Sequence, residues 1–160
     1  MTFQRIDNAF AVCEQYLQKI DRSDPSLLEV ETYFVSALVV LIVSEYETLI
    51  EDYFVKRADQ CGDTHVANYI RKTMHERFRS PDIGKITKTL GEFSSDYKKK
   101  FTDLIMNSPE HAAWDNLMQA RHAVVHKKGS LNLTFRELSE SYPKTKKILE
   151  EVCNAIGVPL

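Results

Sequence analysis

Residues 26–59 read SLLEVETYFVSALVVLIVSEYETLIEDYFVKRAD, and this stretch decides the fold class. Its middle, residues 33–43, is apolar nearly all round, which is the pattern of a helix surrounded by other helices. The run is flanked by Glu31 and Glu45 and falls short of the ~20 apolar residues that a membrane span needs. It is therefore expected to be the central helix of a soluble bundle.

Helix start and stop signals recur on both sides of it, whereas strict alternation with β-branched residues is nearly absent, so the chain reads as all-α. Residues 3–21 place Phe10, Cys13, Tyr16, Leu17 and Ile20 at three- and four-residue spacings, giving an amphipathic first helix. Pro25 suits the first turn of the central helix. Cys61-Gly62-Asp63-Thr64 ends that helix and offers a cap to the next, over about residues 65–79. Ser80-Pro81-Asp82 opens a short helix through Ile83, Ile86 and Leu90, and residues 97–106 form a basic amphipathic segment. Ser108-Pro109-Glu110 opens a helix that runs to about Lys127 and stops at Gly129. After a short extended stretch at 131–133, Thr134 and Glu137 have capping-box spacing, and a final helix reaches Gly157 with Pro143 as a break point.

The length of 160 residues fits one domain spanning residues 1–160, with its core over about 26–156. A hydrophobic share of 43% beside 28% charged residues argues against a wholly disordered chain. Cys13, Cys61 and Cys153 are an odd number without a C-x-x-C pair, so neither a disulfide framework nor a cysteine zinc site is encoded. The first ten residues lack the apolar region of a signal peptide, and a cytoplasmic location is expected. Charge is uneven: residues 1–65 hold 5 basic and 12 acidic side chains, and the remainder hold 16 basic and 11 acidic. The basic second part suits an anionic partner or is simply a solvated face.

Chemistry concentrates in residues 119–129, QARHAVVHKKG. His126 falls in the last turn before Gly129, where the helix dipole favours a protonated imidazole suited to general-acid work. Arg121 keeps its charge and presents a planar donor fork matched to phosphate. The two are about 140° apart around the helix, so they flank one side. His122 shares a face with His126, and Lys127 and Lys128 add local positive potential, so that together these groups can bind and polarise a phosphodiester. Cations chosen only to suit the helix end are the plainer reading. A metal pair at His122 and His126 lacks a third ligand, and no metal or cofactor is expected.

Glu47 rides an apolar stripe with Val40, Val43, Ile50 and Phe54. Either it is buried and needs a basic partner, for which Arg121 is the candidate, or the helix has already turned to solvent there, as Glu45, Glu51 and Asp52 suggest. His65, His75 and His111 lie near expected helix starts or on polar faces without a matching acid or nucleophile and read as structural.

Arg121-His122-Ala123-Val124-Val125-His126 resembles the R-x4-6-H signature of the HEPN superfamily, and Ser44-Glu45-Tyr46-Glu47 resembles the S-x-aromatic-E pattern of its RiboL-PSP type. The Lys127-Lys128 pair departs from the glycine that often follows the histidine. The resemblance implies a single-domain all-α bundle with additional short helices, acting as a metal-independent endoribonuclease. Two chains would pair to form a composite site, with Arg121 and His126 catalytic and His122 and Glu47 supporting. It further implies RNA as substrate, a toxin or effector role in microbial defence or a toxin-antitoxin system, and control by an antitoxin or sensor protein. The alternatives are a non-catalytic HEPN-like module that binds RNA, a nucleotide or a protein, and a purely structural helical adaptor.

Overall fold

The computed structural model describes residues 3–21, 23–126 and 131–159, without the Arg77 side chain. The described residues form seven helices and no strand: α1 (Gln4–Leu17), α2 (Leu27–Asp59), α3 (Thr64–Arg77), α4 (Ile83–Phe93), α5 (Ser95–Ile105), α6 (Pro109–His126) and α7 (Phe135–Ile156). The chain is thus an all-α bundle built round a long helix, with α4 and α5 as the additional short ones.

α2 is central because its inner face carries Val35, Leu38, Ile42, Val43, Tyr46, Ile50 and Phe54, each at most 2% exposed. It packs against α1, α3, α6 and α7. Full burial of such side chains stabilises the fold by roughly 1.5–3 kcal/mol each before entropy is counted. By length and composition alone α2 does qualify as a candidate membrane span, with a window of mean hydropathy 1.9, so residues 33–43 understate its apolar length. Its outer side is less covered: Tyr33 and Val40 are exposed.

Local capping sets most boundaries. The Asp63 carboxylate accepts the His65 and Val66 amides, and Asp82 accepts the Lys85 amide at 2.7 Å. Such caps contribute about 1 kcal/mol each. Ser94 ends α4 and starts α5, because its extended backbone breaks the helix while its hydroxyl accepts the Asp96 amide. α5 therefore begins earlier than the expected residue 97. At α7 the capping box is complete: Thr134 Oγ1 accepts the Glu137 amide, and Glu137 Oε2 accepts the Thr134 amide. Glu31 of α2 adds a long-range cap by accepting the Phe135 amide at 2.7 Å.

Pro143 does not break α7. A proline removes one helical hydrogen bond, but Leu138, Tyr142, Thr145, Ile148 and Leu149 are buried on both sides of it and hold the axis. The helix ends at Gly157, whose φ of +69° is the left-handed conformation a glycine adopts without steric cost.

Candidate active site

The site is organised by one aromatic stack. Tyr46 of α2 lies nearly parallel to Trp114 of α6, with ring centroids 5.3 Å apart, and both side chains are fully buried. Tyr46 Oη shares a 2.9 Å hydrogen bond with Thr145 Oγ1 of α7, so three helices are locked at this level. Desolvation by burial raises the Tyr46 hydroxyl far above its ordinary pKa, despite the opposing hydrogen bond from Thr145. It stays a neutral packing group.

Residues 44–47 divide around α2. Tyr46 enters the core, Glu45 pairs outward with Arg5 of α1, and Glu47 sits half-buried on the remaining side. Arg121 Nη2 of α6 lies 3.8 Å from Glu47 Oε1, with both side chains 25% exposed. That is ion-pair range, longer than a hydrogen bond. The same Glu47 oxygen accepts the Ser80 backbone N–H at 2.5 Å, a contact that sequence reading missed.

Ser80 belongs to the turn between α3 and α4, and its φ of +52° is left-handed. The turn is held from several directions. Lys85 Nζ donates to the Arg79 and Ser80 carbonyls, and Trp114 Nε1 donates to the Pro81 carbonyl at 2.9 Å. A non-glycine residue in this region costs of order 1 kcal/mol or more and persists when its surroundings fix it.

His122 and His126 face each other with ring centroids 4.4 Å apart and planes tilted by 47°. Both are exposed, and His126 is the final residue of α6. Among the described residues, no hydrogen bond joins Arg121 to His126 within one chain. Lys127 and Lys128, the candidate RNA contacts, lie outside the described residues, as does Gly129. Among the described residues, no group of three His, Cys, Asp or Glu side chains stands close enough together to hold a metal ion.

Two histidines read as lacking an acid have one. His111 Nε2 is 3.3 Å from Asp115 Oδ2, one helical turn on, and His75 Nδ1 is 3.2 Å from Glu51 Oε2 of α2. The first follows from four-residue spacing and was legible. The second depends on how α2 and α3 pack.

The RiboL-PSP-HEPN family model matches residues 2–157, nearly the whole chain. The protein belongs to the RiboL-PSP-HEPN family. No curated protein and no solved structure matches it. Domains of the HEPN class are commonly nucleases, and in this one a guanidinium and two imidazoles are gathered at one end of α6, beside a carboxylate from α2.

Proposed function

We propose that this HEPN domain is a metal-independent endoribonuclease working as a homodimer. The observation that carries the reading is that Arg121, facing Glu47, and the His122–His126 pair occupy the last two turns of the same helix. Arg121 supplies a permanent charge for a phosphate, and the imidazoles supply proton-transfer groups.

The ribose 2′-hydroxyl attacks the adjacent phosphorus, a P–O bond forms to O2′ and the P–O5′ bond breaks. His126 of one protomer takes the 2′-hydroxyl proton, and the same histidine of its mate protonates the departing O5′. This leaves a 2′,3′-cyclic phosphate and a 5′-hydroxyl. Such acid–base assistance contributes about 10²–10⁴-fold. Arg121 stabilises charge on the pentacoordinate phosphorus, Glu47 orients Arg121, and His122 orients the imidazole pair. Lys127 and Lys128 follow Arg121 and the histidines in sequence and add phosphate contacts.

Pairing is supported by the outer side of α2. Tyr33, Ala37, Val40 and Ser44 are exposed at three- and four-residue spacings that lead to Glu47, and Val125 of α6 is also exposed. A small-residue and aromatic stripe beside the cationic helix end suits a two-fold contact that brings two sites together. A toxin or effector role, with an antitoxin or sensor protein as regulator and the cytoplasm as its place of action, extends this reading by family resemblance.

The deciding experiment incubates purified protein with RNA in excess EDTA and maps cyclic-phosphate ends. Cleavage of RNA but not DNA is expected, with Arg121→Ala and His126→Ala each inactive and still helical by circular dichroism. Cleavage that EDTA abolishes, or full turnover by folded His126→Ala, removes the mechanism. Binding of RNA without cutting by the wild-type protein would favour the non-catalytic alternative.

A further inference from the structure

We propose that the cavity between the 79–82 turn and α6 is a nucleobase subsite selective for guanine. This deepens the ribonuclease reading and rests on it for the position of the scissile phosphate. The cavity holds about 450 Å³ and borders the candidate active site directly, because His122 forms part of its wall. A base lodged there lies against His122, whose ring faces that of His126.

The lining has the chemistry of a base reader. Met118, half-buried on α6, offers a polarisable surface to the face of a ring. Asp115 and Gln119 follow along the same helix face, one turn apart and leading to His122. Ser80, Asp82 and Lys85 form the opposite wall, with the Lys85 ammonium 4.0 Å from Asp82 Oδ2. Proteins read single-stranded RNA by stacking splayed bases and hydrogen-bonding their edges. This wall and helix present both elements.

The two carboxylates are not equivalent. Asp82 Oδ1 is committed to the α4 cap through the Lys85 amide. Asp115, by contrast, has among the described residues one ionic neighbour, His111 at 3.3 Å, and its side chain is 46% exposed. A carboxylate accepts two parallel N–H bonds. Guanine offers a ring N1–H next to an exocyclic N2–H on the same edge as its O6 carbonyl. Asp115 matches the two N–H groups, and the Gln119 amide matches O6. Adenine and cytosine set an amine beside an unprotonated ring nitrogen, which a carboxylate repels. Uracil has a single N–H between two carbonyls. This pattern of donors and acceptors favours guanine over the other three bases.

The far wall is preorganised for this task. Ser80 is pinned in its left-handed conformation by Glu47 and Lys85. Trp114, the residue before Asp115, ties the Pro81 carbonyl to α6 and so fixes the width of the cavity. Rigid walls reduce the entropy lost when a ligand binds.

The test titrates GMP, AMP, CMP and UMP separately into the full chain and follows the backbone amides of Ser80, Asp115 and Gln119 by NMR. GMP is expected to shift them at concentrations at least about tenfold below the other three, and Asp115→Asn or Gln119→Ala to weaken GMP by about tenfold. Equal binding of all four nucleotides, or GMP binding indifferent to both substitutions, overturns the subsite. A second arm sequences the ends of cleaved RNA. Guanine is expected at one side of most cuts, with the bias lost in Asp115→Asn. RNA cut without guanine bias sinks the subsite and spares the ribonuclease reading. Selective GMP binding lost in Asp115→Asn, by a protein that cuts no RNA, sustains the subsite and removes the ribonuclease reading.

Discussion

Arg121 Nη2 stands 3.8 Å from Glu47 Oε1, and that single oxygen also receives the Ser80 amide. One carboxylate therefore couples the candidate catalytic arginine to the turn that walls the neighbouring cavity. The two contacts differ in worth. An ion pair at this distance and exposure contributes about 0–1 kcal/mol, whereas a hydrogen bond to a charged acceptor contributes about 1.5–3 kcal/mol.

Glu47 variants separate these roles. Glu47→Ala leaves the Ser80 amide without its acceptor and is expected to cost about 1–3 kcal/mol in denaturant unfolding. Glu47→Gln keeps an acceptor oxygen for Ser80 but removes the charge facing Arg121. Its stability should stay within about 1 kcal/mol of wild type while kcat for RNA cleavage falls by tenfold or more. Equal stability loss in both variants with unchanged cleavage would refute the positioning role.

Trp114 is the structural hinge of the site, stacked on Tyr46 and bonded to the Pro81 carbonyl. Trp114→Phe removes the donor and leaves a small void, so a cost of about 2 kcal/mol is expected. Hydrogen exchange at residues 79–82 should accelerate more than exchange in α7. A uniform acceleration across the bundle would show that the tryptophan acts only as core volume.

The capping box makes α7 sensitive to acid. The Thr134 backbone amide and hydroxyl hold the Glu137 carboxyl below its ordinary value of 4.5, so the folded state favours its ionised form. The stabilisation is present above that ordinary value and is lost as pH falls through the lowered folded value. Glu137→Ala should melt below wild type at neutral pH, and the gap should narrow by about pH 2. A gap unchanged between the two conditions would mean that the ionised carboxylate is not what stabilises the cap.

The outer α2 stripe is expected to set the oligomeric state. Val40 is 41% exposed in the single chain, and Val40→Lys places a charge where two copies would meet. Light scattering should show wild-type dimers and variant monomers, with RNA cleavage falling in parallel. A dimeric, fully active Val40→Lys protein would move the contact elsewhere.

The additional short helices show where local signals were incomplete. The cap at Thr134 and Glu137 was legible because both partners sit within one turn, and the Gly157 stop because a single residue dictates it. The start of α5 was missed because Ser94 serves two helices at once. Pro143 was misjudged because its cost is local while the buried contacts that override it come from other helices.

Sequence alone determined that the chain is helical and that α2 is its centre, and it singled out Glu47 of α2 and Arg121, His122 and His126 of α6 as the candidate site residues. Periodicity, caps and charge are written within a few neighbouring positions, and physics at that range needs no tertiary context. Only the folded structure decided that Glu47 reaches Arg121 and Ser80 together, and that the 79–82 turn and α6 flank an open cleft. Those contacts join segments remote in the chain, and their distances are set by how the helices pack around Tyr46 and Trp114.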